Sequence, residues 1–183
     1  MREKTKLGFV VEGDTDRAIL EALTRRLLPE RFQTHFVRLG GKAALPWAYT
    51  TVLDFLQKGY SHVFIVFDAD TSDPAQVRRQ REENLAILRR HGLAEHVSLC
   101  IAVPEIEAWL LAGLQEGPEQ AASPKRTVAD RLGLTASNSV GWQRAAHELD
   151  LETAAARSAS LSEFVRELRA VRLAKRERLA LPA

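Results

Sequence analysis

The sequence predicts an α/β fold: a mainly parallel four-stranded sheet flanked by helices, followed by a helical C-terminal appendage. Three observations carry this. Four short apolar, β-rich runs alternate with segments of helical periodicity up to Gly113. One of those runs, Val63–Phe67, is apolar without interruption, as in a strand covered on both faces. Beyond Gly113 the composition is helical and no convincing strand appears.

The elements follow in order. Lys6–Val11 reads as a buried strand. Asp14–Leu28 reads as a helix, with Ile19, Leu20, Leu23, Leu27 and Leu28 at helical spacing and Pro29 ending it. Phe32–Leu39 alternates as a second strand, and Gly40-Gly41 breaks it. Leu45–Leu56 is expected to be helical, with Gly59 after it. His62–Phe67 is the third strand. Asp73-Pro74 opens a helix that Gly92 stops near His91. Val97–Val103 is the fourth strand, and Pro104 precedes a helix through Ala112. The expected organisation is an α/β domain over residues 5–113, a linker or loop over 114–124, and a helical region over 125–183 packed on the sheet.

Composition narrows the class. A chain of 183 residues fits one domain, or one domain with an appendage, and can bury a core without staples. A single cysteine, Cys100, excludes an intrachain disulfide and a multi-cysteine zinc site. Lying inside an apolar strand, it is expected to be a buried small hydrophobe. No apolar run has the length of a membrane helix, and the charged start Met1-Arg2-Glu3-Lys4 is unlike a signal peptide, so a cytoplasmic location is expected. Twenty-six basic against 24 acidic residues give a net charge of +2, which does not by itself mark a nucleic-acid binder. Basic residues do cluster at Arg166, Arg169, Arg172, Lys175, Arg176 and Arg178, and again from Arg78 to Arg90; taken alone, each cluster reads as a solvated helix face.

The acids are more informative. In open α/β sheets ligands bind beyond the carboxyl ends of the strands. Strand one ends in Glu12-Gly13-Asp14-Thr15-Asp16, strand three in Asp68-Ala69-Asp70, and strand four in Pro104-Glu105-Ile106-Glu107. Carboxylates about 5 Å apart repel by roughly 3 kcal/mol at an effective dielectric near 20, so gathering several of them requires a cation. Magnesium suits such a set, because it prefers carboxylate and water oxygens. Asp68 and Asp70, two apart, share a side in an extended segment. Asp14, Thr15 and Asp73 are read as candidate helix caps, and Glu105 as a helix-dipole residue. Gly40-Gly41-Lys42 sits on the same edge, and Lys42 there can meet a phosphate.

Several chemistries find no support. There is no Walker P-loop, no Gly-x-Gly-x-x-Gly dinucleotide fingerprint, and no Gly-x-Ser-x-Gly elbow. The five histidines are scattered without zinc-ligand spacing. Trp47, Trp109 and Trp142 are expected to be packing residues, with Trp109 placed to wall a pocket.

The set Val11-Glu12-Gly13-Asp14-Thr15-Asp16 with Phe67-Asp68-Ala69-Asp70 resembles the TOPRIM domain of topoisomerases, primases and related nucleases, a Rossmann-like core. The segment Pro104-Glu105-Ile106-Glu107-Ala108-Trp109 is similar to that of stand-alone TOPRIM proteins related to the overcoming-lysogenisation-defect (OLD) nucleases, several of which belong to phage-defence systems. The resemblance spans residues 5–113. It implies metal ligation by Glu12, Asp16, Asp68, Asp70 and Glu107, and catalytic roles for Glu12, Asp68, Asp70 and Lys42. Two departures stand out: aspartate replaces the commoner glutamate at 16, and Gly113 stands where relatives often carry another aspartate.

The expected function is therefore a nuclease dependent on one or two Mg²⁺ or Mn²⁺ ions, cleaving DNA or RNA phosphodiesters in phage defence or DNA processing. Nucleic acid would be held by Lys42, Arg166, Arg169, Arg172, Lys175 and Arg176. The alternative is a non-catalytic metal-binding module that partners a separately encoded ATPase or acts as a nucleic-acid-binding subunit. A two-component receiver also uses strand-end aspartates, but it needs a lysine after a fifth strand, which is not visible here. Ribosomal-RNA maturases with a TOPRIM core typically place glycine soon after the Asp-x-Asp pair, whereas this chain has Thr71-Ser72-Asp73-Pro74.

Overall fold

The computed structural model describes residues 4–135 and 137–180, with side chains through Leu173. Four parallel strands, β1 (Thr5–Val11), β2 (Phe32–Arg38), β3 (His62–Asp68) and β4 (Val97–Ala102), form one sheet in the order β2-β1-β3-β4. Their alternation decides what each face buries. Phe9, Val11, Phe64, Val66, Cys100 and Ala102 point to one side, where Phe9 stacks between Phe36 and Phe64 with ring centroids 4.7 and 5.0 Å away. Val10, Val63, Ile65, Phe67, Leu99 and Ile101 point to the other. Both faces are covered, so the inner strand β3 reads as a continuous apolar run, whereas the edge strand β2 alternates. Cys100 is buried as expected, and burial pushes its thiol pKa up.

The second face carries α2 (Ala48–Gln57) and α3 (Pro74–Arg90). The expected helix from Leu45 begins differently. Residues Lys42–Trp47 form a 3₁₀ turn, with Ala44 N–H donating to Gly41 O and Ala48 N–H to Leu45 O, and the α-helix starts only at Ala48. Pro46 lacks an N–H and so interrupts an α-type ladder there. Asp73 caps α3 as expected, accepting from Ala75 N–H at 2.8 Å. Trp47 is 64% exposed and is not a packing residue.

The first face carries α1 (Asp14–Leu27) and α4 (Glu107–Ala112), together with the C-terminal helices α5 (Pro124–Leu132), α6 (Ser139–Glu148), α7 (Leu151–Arg157) and α8 (Ala159–Ala180). These share one apolar core with the sheet: Val128, Trp142, Ala146, Ala154, Leu161 and Phe164 join Ile19, Leu23 and Leu110. Trp109 is fully enclosed in that core, stacked on Phe164 at 5.1 Å and donating Nε1–H to Ser160 Oγ at 2.9 Å; it does not wall a pocket. The segment between α4 and α5 is tied down through Glu119, whose Oε1 accepts from the Ser158 and Ser160 hydroxyls and from Ser160 N–H. Among the described residues no helix is long and apolar enough to cross a membrane.

Two glycines mark close approaches. A Cβ on Gly8 would lie 2.8 Å from the Phe55 ring, so α2 sits directly on β1 there. Gly8→Ala should destabilise the fold by about 1–3 kcal/mol, read as a lowered midpoint in urea unfolding. A Cβ on Gly113 would lie 2.5 Å from Leu149 Cδ1, so an aspartate at 113 requires Leu149 to move.

Candidate metal centre

The strand order fixes where a ligand sits. From β1 the chain crosses to β2 on one side, then returns to place β3 on the other. The switch point thus lies between the carboxyl ends of β1 and β3, where an open α/β sheet forms its ligand crevice. Glu12 follows β1, Asp68 ends β3, and Asp68 N–H donates to Glu12 Oε1 at 3.0 Å. Asp16 and Glu107 join them from the first turns of α1 and α4; the two are 7% and 1% exposed. Four of the five expected metal-ligating acids thus converge from the ends of three strands.

Each is held by its own local structure. Gly13 is the N-cap of α1, and Asp16 Oδ2 accepts the Gly13 N–H at 2.9 Å. Neither Asp14 nor Thr15 caps this helix; Asp14 instead pairs with Arg38 at 2.6 Å on the surface. Asp68 Oδ1 accepts from Ile106 N–H at 2.8 Å. That bond explains why the last helix of the sheet domain begins at Glu107 and not at Pro104: residues 104–106 form the turn that clasps Asp68.

Asp70 behaves otherwise. The chain leaves the extended form after β3, and Asp70 adopts φ +54°. Its side chain is exposed and pairs with Lys42 Nζ at 2.8 Å, so Asp70 stands at the rim and does not share the half-buried position of Asp68. Lys42 also donates to the carbonyls of Asp68 at 2.9 Å and Ala69 at 3.1 Å, pinning the loop after β3.

The electrostatics show what the cluster lacks. Burial, with Asp16, Glu107 and Glu12 adding to it, pushes the Asp68 pKa up to about 9. Burial also raises Glu12, reinforced by Asp16 and Asp70 and opposed by the Asp68 N–H and Lys42. Asp16 and Glu107 are raised by burial as well, with Lys125 opposing in both. Four carboxyls are thus crowded into a poorly solvated corner, each raised chiefly by burial.

Lys125 is the functional residue that sequence reasoning missed. It lies in the first turn of α5, and its Nζ pairs with Glu107 Oε1 at 3.0 Å. Burial lowers its pKa, but Glu107, Asp16 and Glu105 outweigh that and hold it above the ordinary lysine value. Its backbone N–H donates to Glu105 Oε1 at 2.6 Å, so Glu105 anchors α5 against the sheet. The local signal was Ser123-Pro124 as a helix start with a lysine next in line.

The basic helix lies elsewhere. Ser160, at the start of α8, accepts from Val103 N–H beyond the carboxyl end of β4, and Glu167 accepts from Ser98 near its amino end. Therefore α8 runs antiparallel to β4 and carries Arg166, Arg169 and Arg172 toward the amino end of the sheet, away from the acids. Arg166 pairs there with Glu163 and Glu167, Arg172 donates to Leu27 O, and Arg169 is exposed. Lys175 and Arg176 lie outside the residues whose side chains are described. The cations beside the acid cluster are instead Lys42 and Lys125.

Among the described residues, no group of three or more His, Cys, Asp or Glu side chains is placed so that it could hold a metal ion as it stands. The donor chemistry nonetheless fits Mg²⁺ or Mn²⁺: the donors are all carboxylate oxygens, and they are mutually repulsive, Asp16, Glu107 and Glu12 adding to burial in raising Asp68. The chain matches no protein-family model and no curated protein.

Proposed function

We propose that this protein is a divalent-metal-dependent nuclease of TOPRIM type. The observation that carries the reading is the convergence of Glu12, Asp16, Asp68 and Glu107 at the switch point of a parallel sheet, where burial raises the pKa of each and neighbouring acids add to that at Asp68 and Glu12. These four residues would hold the ion, with Asp70 at the rim. A bound Mg²⁺ or Mn²⁺ supplies charge for a phosphodiester oxygen and acidity for a water.

The chain's own residues do the rest. Lys42, fixed by two carbonyls and Asp70, presents an ammonium at the rim where a scissile phosphate arrives. The Ile106 N–H and Glu12 bonds hold Asp68 in orientation, so little reorganisation accompanies the reaction. Nucleic acid is the expected partner. The test is cleavage of single-stranded and plasmid DNA and of RNA by the purified chain with Mn²⁺. Activity abolished by chelator and by Glu12→Gln is expected; cleavage surviving in Glu12→Gln contradicts the assignment.

One observation favours the non-catalytic reading: the Lys125 ammonium already sits beside Glu107, as an internal cation would in a module that never turns over. Cation binding without any cleavage would select it.

A further inference from the structure

Next to the acid cluster, and sharing Asp70 with its rim, lies a second feature. A cavity of about 510 Å³ opens between the loops after β3 and β4 and the start of α5. Pro104, Pro124 and Ala129 make its apolar walls. Asp70 and Glu105 line it on the sheet side, Lys125 and Arg126 on the helix side. It touches the cluster through two residues already described, since Glu105 holds the Lys125 N–H and Lys125 pairs with Glu107.

We infer that this cavity is a subsite for one unstacked nucleotide of the substrate strand, so that the protein acts on single-stranded nucleic acid in preference to intact duplex. The inference rests on the nuclease reading above. The volume suits a ligand of nucleotide size. The lining suits one too: apolar walls for the base, two carboxylates to accept from exocyclic amines, and two cations for the adjoining phosphate. Arg126 is free to reach a phosphate, because its side chain is 84% exposed and its contact with Asp130 is a loose 3.8 Å surface pair. Asp16 and Glu107 are nearly inaccessible, and a cavity of about 510 Å³ suits one unstacked nucleotide better than a base pair.

The test is binding of a fluorescent 12-nucleotide single strand, as DNA and as RNA, against the matching duplexes, in Ca²⁺ and in EDTA. Two variants serve. Ala122→Trp fills the cavity from an exposed loop position, and Arg126→Ala removes the phosphate contact. The expected result is single-strand binding at least tenfold tighter than duplex, lost about tenfold in Ala122→Trp. Arg126→Ala should lower the dependence of log K on log salt by nearly one. Equal affinity for single strand and duplex, or unchanged binding in Ala122→Trp, overturns the subsite. Mn²⁺ titration of the same Ala122→Trp protein should match the unsubstituted chain; failure of Mn²⁺ binding in both counts against the nuclease reading, while the EDTA measurement still judges the cavity.

Discussion

Asp68→Asn is expected to abolish Mn²⁺-dependent cleavage, by about a thousandfold or more, while raising the stability of the ion-free protein. Both effects have one origin. Asparagine keeps an oxygen to accept from Ile106 N–H but cannot carry the charge a cation needs. In the ion-free fold that charge is a liability, because burial and three neighbouring acids raise the Asp68 pKa from 3.8 to about 9. Below pH 4 the folded and unfolded chains both hold the proton, and nothing is lost. Between pH 4 and 9 the unfolded chain releases it while the folded chain keeps it, so ion-free stability falls across that window. The substitution removes the penalty. Its gain should be on the order of 2–4 kcal/mol at pH 7 and vanish near pH 4. Thermal melts in EDTA at pH 4.5 and 7 measure it. A variant less stable than the unsubstituted protein at pH 7 would contradict the buried-acid account.

Lys125→Met should act in the opposite sense. It leaves Glu107, 1% exposed, without its cation while preserving most of the packing volume. Breaking a fully buried pair costs about 3–5 kcal/mol. Lys125 is 45% exposed, so the expected loss is smaller, about 1–3 kcal/mol. The diagnostic is recovery: millimolar Mn²⁺ should restore more stability to Lys125→Met than to the unsubstituted chain, because the divalent ion then supplies the missing charge. A loss that Mn²⁺ leaves untouched would mean that Lys125 is structural only.

These expectations were partly legible in the residues. The four strands and the three strand-end acid groups could be read directly, because both faces of a parallel sheet are buried and the carboxyl ends form its ligand edge. The equivalence of Asp68 and Asp70 could not. Spacing of two puts side chains on one side only while the chain stays extended, and the turn at Asp70 ends that. Lys125 was hidden for a different reason. It reaches Glu107 through the packing of α5 on α4, a contact between distant segments that no local pattern encodes. The arginines of α8 show a different limit of local pattern: clustering in sequence reveals a charged helix face but not the end of the sheet to which that face is carried.

If the four carboxyls form a cation site, calorimetric titration of Mn²⁺ into the purified chain, with the double variant Glu12→Ala/Asp68→Ala as control, detects it. Saturable binding with proton release in the unsubstituted protein, lost in the double variant, is the predicted result. Equal binding by both proteins, or none by the unsubstituted chain with or without a short single strand present, would contradict it.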